Sequence, residues 1–202
     1  MAAEPTVCDL ALAELGQRFA RLRLVHPSAE LHVRRSLEKY GQLSPVVVSG
    51  PQEQGGYELL DGFKRFRAAR ELGWERLKAR CLPLGARAGK AAILQLNWVA
   101  RSVRPLEEAL VLCSLVREDG LTQVEIAALV ARHKSWVSRR VALVERLCEE
   151  VHESLRLGLT SVSVARELGR LPRGNQEAAL QCVHKHALTW RESRHLVGVL
   201  LQ

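Results

Sequence analysis

The sequence predicts an α+β chain in which a small mixed α/β amino-terminal domain is followed by an all-α domain carrying a helix-turn-helix. Three observations lead there. Short β-branched or alternating runs fall before residue 83, and nearly everything after it follows helical periodicity. Hydrophobic residues make up 47% of the chain and aromatic residues only 4%, which favours aliphatic helix packing. Residues 121–143, LTQVEIAALVARHKSWVSRRVAL, place small and apolar residues where two short helices would cross. The expected division is an amino-terminal segment over 1–29, an α/β domain over 30–84 and a helical domain over 85–202.

Ser28 is placed to cap a helix over residues 29–40, where Val33, Leu37 and Tyr40 recur at i, i+4 and i+7 and Gly41 ends the segment. Pro45 opens the run Val46-Val47-Val48. A turn-rich stretch from Ser49 to Gly56 leads into Tyr57-Glu58-Leu59-Leu60, and two strands so joined predict a hairpin. Asp61 is placed to cap a helix that begins at Gly62 and stops at Gly73. Phe63, Phe66 and Ala69 form its buried face with Leu72 at the edge, and Lys64, Arg65, Arg67 and Arg70 take the other faces. Leu77 to Cys81 alternates and predicts a third strand.

A helix is expected from Ala88 to Trp98. Pro105 begins another, with Leu106, Ala109, Leu110, Cys113 and Val116 on one face and Gly120 as its stop. Val137, Val141, Val144 and Cys148 form an i, i+4, i+7, i+11 stripe, which predicts a long second helix for the helix-turn-helix. Three further short helices are expected over 160–171, 174–187 and 189–201, separated by Pro172-Arg173-Gly174 and Leu188-Thr189. There is no internal repeat or low-complexity tract.

The charge balance narrows the partners. Thirty Lys and Arg stand against 22 Asp and Glu, a formal net charge of +8, so the chain attracts polyanions, nucleic acid first among them. No run of about 18 apolar residues exists, and the start, MAAEPTVCDLALAEL, has no basic segment followed by an apolar core. A cytoplasmic, nucleoid-associated protein with no membrane partner is expected. Cys8, Cys81, Cys113, Cys148 and Cys182 are odd in number and contain no C-x-x-C pair. That excludes a zinc ribbon and argues against a secreted disulfide scaffold, leaving small core residues in a reducing compartment.

Within the helix-turn-helix, Gln123, Ala127 and Ala131 follow at steps of four, and Val137 comes six later. Ala127 lets the helices cross closely while Ile126, Val130 and Val137 bury the facing surfaces. Ala131 stands where the tight turn prefers glycine. The second helix would present Lys134, Ser135, Ser138 and Arg139, types that donate to phosphates and base edges in a major groove. The DNA-contact set is Gln123, Arg132, His133, Lys134, Ser135, Ser138, Arg139 and Arg140. Arg132, Lys134 and Arg140 would hold phosphates, and Ser135, Ser138 and Arg139 would meet bases. The bland reading is a helical hairpin with a solvated basic face. Trp136 is read as packing against a neighbouring helix rather than touching a thymine methyl, and Glu107-Glu108 as first-turn residues favoured by the helix dipole.

Leu60-Asp61-Gly62-Phe63-Lys64-Arg65-Phe66-Arg67-Ala68 is the second motif. Gly62 at a helix start lets a phosphate approach free backbone N–H groups, and Lys64, Arg65 and Arg67 add charge there. The competing reading is a basic helix face in solvent. Cys182, His184 and His186 share one expected helix, but C-x-H-x-H spacing turns His184 away from the other two, so no metal is expected.

Taken in order, GQLSPVVV (41–48), YELLDGFKRFRAARELG (57–73), NWVARSVRPLEEAL (97–110), LTQVEIAALVARHKSWVSRRVALV (121–144) and GLTSVSVAREL (158–168) resemble the ParB family of chromosome- and plasmid-partition proteins over roughly residues 30–200. The resemblance implies a ParB/sulfiredoxin-like amino-terminal domain that binds CTP with Mg²⁺, and a helical domain that binds a palindromic duplex DNA site. It also implies a clamp closing on DNA, a homodimer and a partition ATPase as partner. By the same resemblance Gly41, Gln42 and Pro45 match the family's nucleotide loop, and Gly62, Arg65, Arg67 and Ala68 match its GERRxRA box, Lys64 standing in the third place of the box. Asn97 matches the Asn that helps hold triphosphate and metal, and Pro105, Glu107, Glu108 and Ala109 match the helix start that follows.

The chain departs from the pattern at Phe63 and Leu96, where the family has glutamates, and at Ala100, where it has arginine, with Arg101 one position on. A phenylalanine cannot orient water and a leucine cannot ligate Mg²⁺, which points away from CTP hydrolysis and leaves phosphate binding open. The chain stops at Gln202, where the family continues into a linker and dimerisation domain. Arg18, Arg21 and Arg23 lie in a segment read as a helix or strand edge rather than the family's Arg-rich ATPase-binding stretch. Two alternatives stand beside partition: a transcriptional or mobile-element regulator keeping the fold without CTP hydrolysis, and a small nucleotide-dependent enzyme of the sulfiredoxin-like fold.

Overall fold

The computed structural model describes residues 6–51, 55–98 and 105–202. It divides into two compact units, Met1–Ser102 and Val103–Gln202. The first is α/β and the second is helical, as expected, but the division falls after residue 102 rather than 84. The helix at Ala86–Trp98 packs on the sheet, with Gly89 only 3.2 Å from Leu60 Cδ2 measured from an ideal Cβ position, and so belongs to the first unit. Ala100 and Arg101 lie outside the described residues.

Five strands form the sheet of the first unit: β1 (Thr6–Ala11), β2 (Leu15–Gly16), β3 (Val46–Ser49), β4 (Tyr57–Asp61) and β5 (Arg76–Leu82), in the order β1-β5-β3-β4-β2. β3 and β4 are the expected antiparallel hairpin, with a register shift between Val47 and Val48. β5 runs parallel to β3 and antiparallel to β1. β3 is central, so its run of three valines is buried whole rather than alternately. β1 and β2 were not foreseen, because Thr6–Ala11 alternates weakly and Leu15–Gly16 is too short to carry a pattern.

Helix α1 spans Pro27–Tyr40. Its cap is His26 and Pro27 opens it, so Ser28 lies inside the first turn rather than capping. Proline's fixed φ and missing N–H suit that position and override the serine signal. Helix α2 (Phe63–Glu71) buries Phe63, Phe66, Ala68 and Ala69, and its cap is Gly62, not Asp61, which closes β4. Helix α3 is Ala86–Trp98.

In the second unit α4 (Pro105–Arg117), α5 (Gln123–Leu129) and α6 (Lys134–Glu145) pack together, followed by α7 (Glu149–Arg156), α8 (Val162–Leu168), α9 (Arg173–Lys185) and α10 (Trp190–Leu200). α6 is shorter than its stripe suggested. The chain turns after Glu145 and Cys148 becomes the cap residue of α7, a helix the continuous apolar period had concealed. Gln176, fully buried, bonds the Cys148 N–H and the carbonyls of Arg146 and Leu171, satisfying the backbone of that turn. Ile126, Val130 and Val137 are each 0% exposed, and burying side chains of this size contributes roughly 1.5–3 kcal/mol apiece.

Candidate functional site

Thr122 and Glu125 form a reciprocal cap at the start of α5. The Glu125 N–H donates to Thr122 Oγ1 at 3.3 Å, and the Thr122 N–H donates to Glu125 Oε2 at 2.8 Å. Gln123 therefore begins the helix, at its half-exposed first position. Between α5 and α6, Ala131 takes φ +51°, the left-handed conformation glycine would adopt without strain. His133 caps α6: its Nδ1 accepts from the Ser135 N–H at 3.2 Å and lies 2.8 Å from Ser135 Oγ. These caps fix where the second helix begins and which turn is outermost.

That turn is cationic and open. Arg132, His133, Lys134, Ser135, Ser138 and Arg139 are all exposed, while Val137 and Val141 face inward. Lys134 and Arg139 have no ion pair among the described residues. Arg132 lies over the half-buried Trp136 ring at 5.7 Å, with Arg140 over the same ring at 5.3 Å.

Arg140 departs from its assigned place. Its Nε donates to Glu108 Oε2 at 2.5 Å, with side-chain exposures of 18% and 11%. It braces α6 against α4. Glu107 and Glu108 stand in the first turn of α4 as read from the sequence, but both are buried, and Glu108 neutralises the inward arginine. The i, i+32 spacing of that pair carries no local sequence signal.

The first unit holds a cavity of about 290 Å³ lined by Gly62, Phe63, Lys64, Arg65, Arg67 and Asn97 together with Asp61, Arg23, Leu24, Val33 and Leu96. It gathers five of the eight predicted phosphate residues. Gly62 adopts φ +96°, and a Cβ there would lie 2.6 Å from Val46 Cγ1, so glycine is required by packing as well as by access. Gly41, Gln42 and Pro45 do not line the cavity. Gln42 is tied to β5, donating to the Lys78 carbonyl at 2.8 Å and accepting from the Lys78 N–H at 2.7 Å. Arg65 grips the same loop through the carbonyls of Ser44 at 2.8 Å and Pro45 at 2.7 Å, and reaches Asp61 at 3.2 Å. Arg67 is paired with Glu30 through two contacts, 3.2 and 2.5 Å. Asn97 is buried and donates to the Ile93 carbonyl at 2.7 Å.

A phosphate entering this cavity meets Lys64 and the first N–H groups of α2, while the two arginines already hold carboxylates. The cavity fits an anionic phosphate group. It does not fit Mg²⁺: among the described residues Asp61 is its sole lining carboxylate, already engaged by Arg65, and Leu96 contributes only hydrocarbon. No cysteine lines it. Among the described residues no cluster of His, Cys, Asp or Glu could hold a metal. His184 instead bonds Thr160 Oγ1 at 2.9 Å, away from Cys182 and His186. No helix among the described residues is long and apolar enough to cross a membrane. Glu30 and Glu108 were missed because each acts through a partner placed by the fold, whereas Asp61 meets Arg65 at an i, i+4 spacing that the sequence does show.

Residues 3–98 match the family model described as the ParB N-terminal domain, and residues 101–202 match the ParB HTH domain. A probable chromosome-partitioning protein ParB from Vibrio cholerae is 28% identical over 198 residues, 98% of this chain and 67% of the relative. A nucleoid occlusion protein from Oceanobacillus iheyensis is 28% identical over 146 residues, 72% of this chain and 51% of the relative. The chain thus spans about two thirds of one curated relative and half of the other. The C-terminally truncated ParB of Caulobacter crescentus, solved in complex with the centromeric parS site, superposes with a TM-score of 0.56 at 22% identity, covering 94% of this chain and 98% of that one. The likeness to that structure is one of fold, and with one family model over residues 3–98 and the other over 101–202 the chain belongs to the ParB family.

Proposed function

We propose that this chain binds a specific duplex DNA site through α5 and α6, and that the cavity at α2 binds the phosphates of a nucleotide, CTP by family analogy, without metal-dependent turnover. One observation carries the DNA reading: Lys134, Ser135, Ser138 and Arg139 share the exposed, capped opening of a helix whose opposite face is anchored by Val137 and Val141. Lys134 and Arg132 hold phosphates there. Arg139 and the two serines meet base edges, and Gln123 adds a contact from the start of α5. Nucleoid association follows from the DNA reading. A homodimer and a partition ATPase are the partners that family membership suggests.

Binding to a parS-type duplex and to a scrambled duplex, followed by fluorescence anisotropy over a salt series, tests this. Arg139→Ala is expected to weaken the specific duplex by about 1–3 kcal/mol and narrow the gap to the scrambled one. Lys134→Ala is expected to weaken both duplexes alike and lower the salt slope by about one unit. Unchanged affinity and slope in both variants would remove α6 from the interface. For the cavity, calorimetry is expected to show CTP binding of similar strength with and without Mg²⁺, and no phosphate release. Release of phosphate that requires Mg²⁺ would overturn the metal-free reading.

A second reading, a transcriptional or mobile-element regulator keeping the fold without CTP hydrolysis, is favoured by a cavity whose lining, among the described residues, offers one carboxylate, already paired with Arg65. A genome-wide binding profile separates it from partition, since partition requires clustered sites.

A further inference from the structure

β1 joins the sheet at its edge beside β5, antiparallel, with Thr6 opposite Cys81 and Cys8 opposite Ala79. Cys8 and Cys81 are therefore two positions apart in register and lie on the same face of the ladder. The diagonal brings their Sγ atoms to 2.7 Å. Both thiols are free and neither is fully buried. A disulfide needs sulfurs at about 2.0 Å; a diagonal pair is spaced more widely along the backbone than a directly opposite one, and the 2.7 Å approach of the sulfurs shows that these two side chains reach across that spacing. The other three cysteines have different settings: Cys113 faces the Val141 carbonyl at 3.9 Å, Cys148 precedes α7 and Cys182 lies within α9. Burial, reinforced by Cys8, pushes the Cys81 thiol up to about 12.

We propose that Cys8 and Cys81 are an oxidation-sensitive pair that closes to an intramolecular disulfide and latches β1 to the sheet. With hydrogen peroxide as oxidant, one thiol sulfur takes a peroxide oxygen, the O–O bond breaks, and water leaves as a sulfenic acid forms. The second sulfur attacks the first, the S–S bond forms, the S–O bond breaks, and the hydroxyl departs with the second thiol's proton as water. Each sulfur gives up one electron, and the two peroxide oxygens are reduced. Among the described residues β5 is the only strand β1 pairs with, so the cross-link ties down a strand held there by one ladder. β5 also carries Lys78, whose backbone grips Gln42, so the latched strand is the one that holds the Gly41–Pro45 loop.

The full chain treated with a small excess of hydrogen peroxide, then alkylated and mapped by mass spectrometry, is expected to lose two hydrogens and to yield one linked peptide joining residues 8 and 81. Amide exchange across Thr6–Ala11 is expected to slow roughly tenfold or more, and dithiothreitol to reverse it. Cys8→Ser and Cys81→Ala should each abolish both effects, and Cys113→Ala should abolish neither. A link between chains, a link through another cysteine, or equal alkylation of all five thiols after peroxide would overturn the proposal.

Discussion

Helix α2 and helix α6 both open on a cluster of cations, yet the fold disposes of those cations in opposite ways. At α2, Arg65 is engaged by Asp61 and the Ser44–Pro45 carbonyls, and Arg67 by Glu30. At α6, only Arg140 is drawn inward, to Glu108, while Lys134 and Arg139 stand in solvent with no ion pair among the described residues. A cation already holding a carboxylate organises backbone, and an anion must compete for it. An exposed one exchanges only its counterions and water when a polyanion arrives. The same residue types thus make a braced, ion-paired cavity in one unit and an open cationic surface in the other.

The inward arginine is where that contrast is most easily broken. Glu108→Ala leaves the Arg140 charge largely desolvated without its partner and is expected to lower stability by about 3–5 kcal/mol in chemical denaturation. A loss under about 1 kcal/mol would mean that the pair is a solvated one and that Arg140 belongs with the DNA-facing set. Gly62→Ala follows, at about 3 kcal/mol, from its positive φ and the approach of Val46. A neutral result would show that the start of α2 is shaped by its ligand alone.

Glu30→Gln sharpens the comparison from the other side. Releasing Arg67 is expected to strengthen binding of inorganic tripolyphosphate roughly fivefold in calorimetry, the scale of a modest change in charge-assisted hydrogen bonding. Unchanged or weaker binding would show that the carboxylate does not hold the arginine back. Ala131→Gly should have the smallest effect. Relief of the left-handed strain, partly offset by glycine's greater freedom when unfolded, is expected to stabilise the chain by roughly 0.5 kcal/mol, read as a slightly higher Tm with DNA affinity unchanged.

Helix α10 carries a local pH signature at its cap. Thr189 hydrogen bonds hold the Glu192 carboxyl below the usual glutamate range. A carboxyl with a depressed folded value stabilises above its unfolded pKa, and that support is lost as pH falls through the folded value. Loss of α10 exchange protection should therefore begin on the acid side of ordinary glutamate titration.

Much of this molecule was legible along the chain. The hairpin, α2 with its phenylalanine face, and the buried trio Ile126, Val130 and Val137 follow from strand and helix periods acting over a few residues. Ala131 was marked by turn geometry, and the exposed residues of α6 by their complement to that apolar face. Other features were hidden for reasons as specific. Pro27 outcompeted Ser28 for the start of α1, and an unbroken apolar stripe concealed the turn between α6 and α7. Local periodicity and backbone chirality thus let the sequence alone determine the element types, the helix-turn-helix and an excess of positive charge. Which cations are available, which glutamates are buried and which thiols meet were decided only by the tertiary structure. Arg67 and Glu30 are separated by 37 residues, Arg140 and Glu108 by 32, and Cys8 and Cys81 by 73, and no local pattern encodes a contact that the packing of distant elements creates.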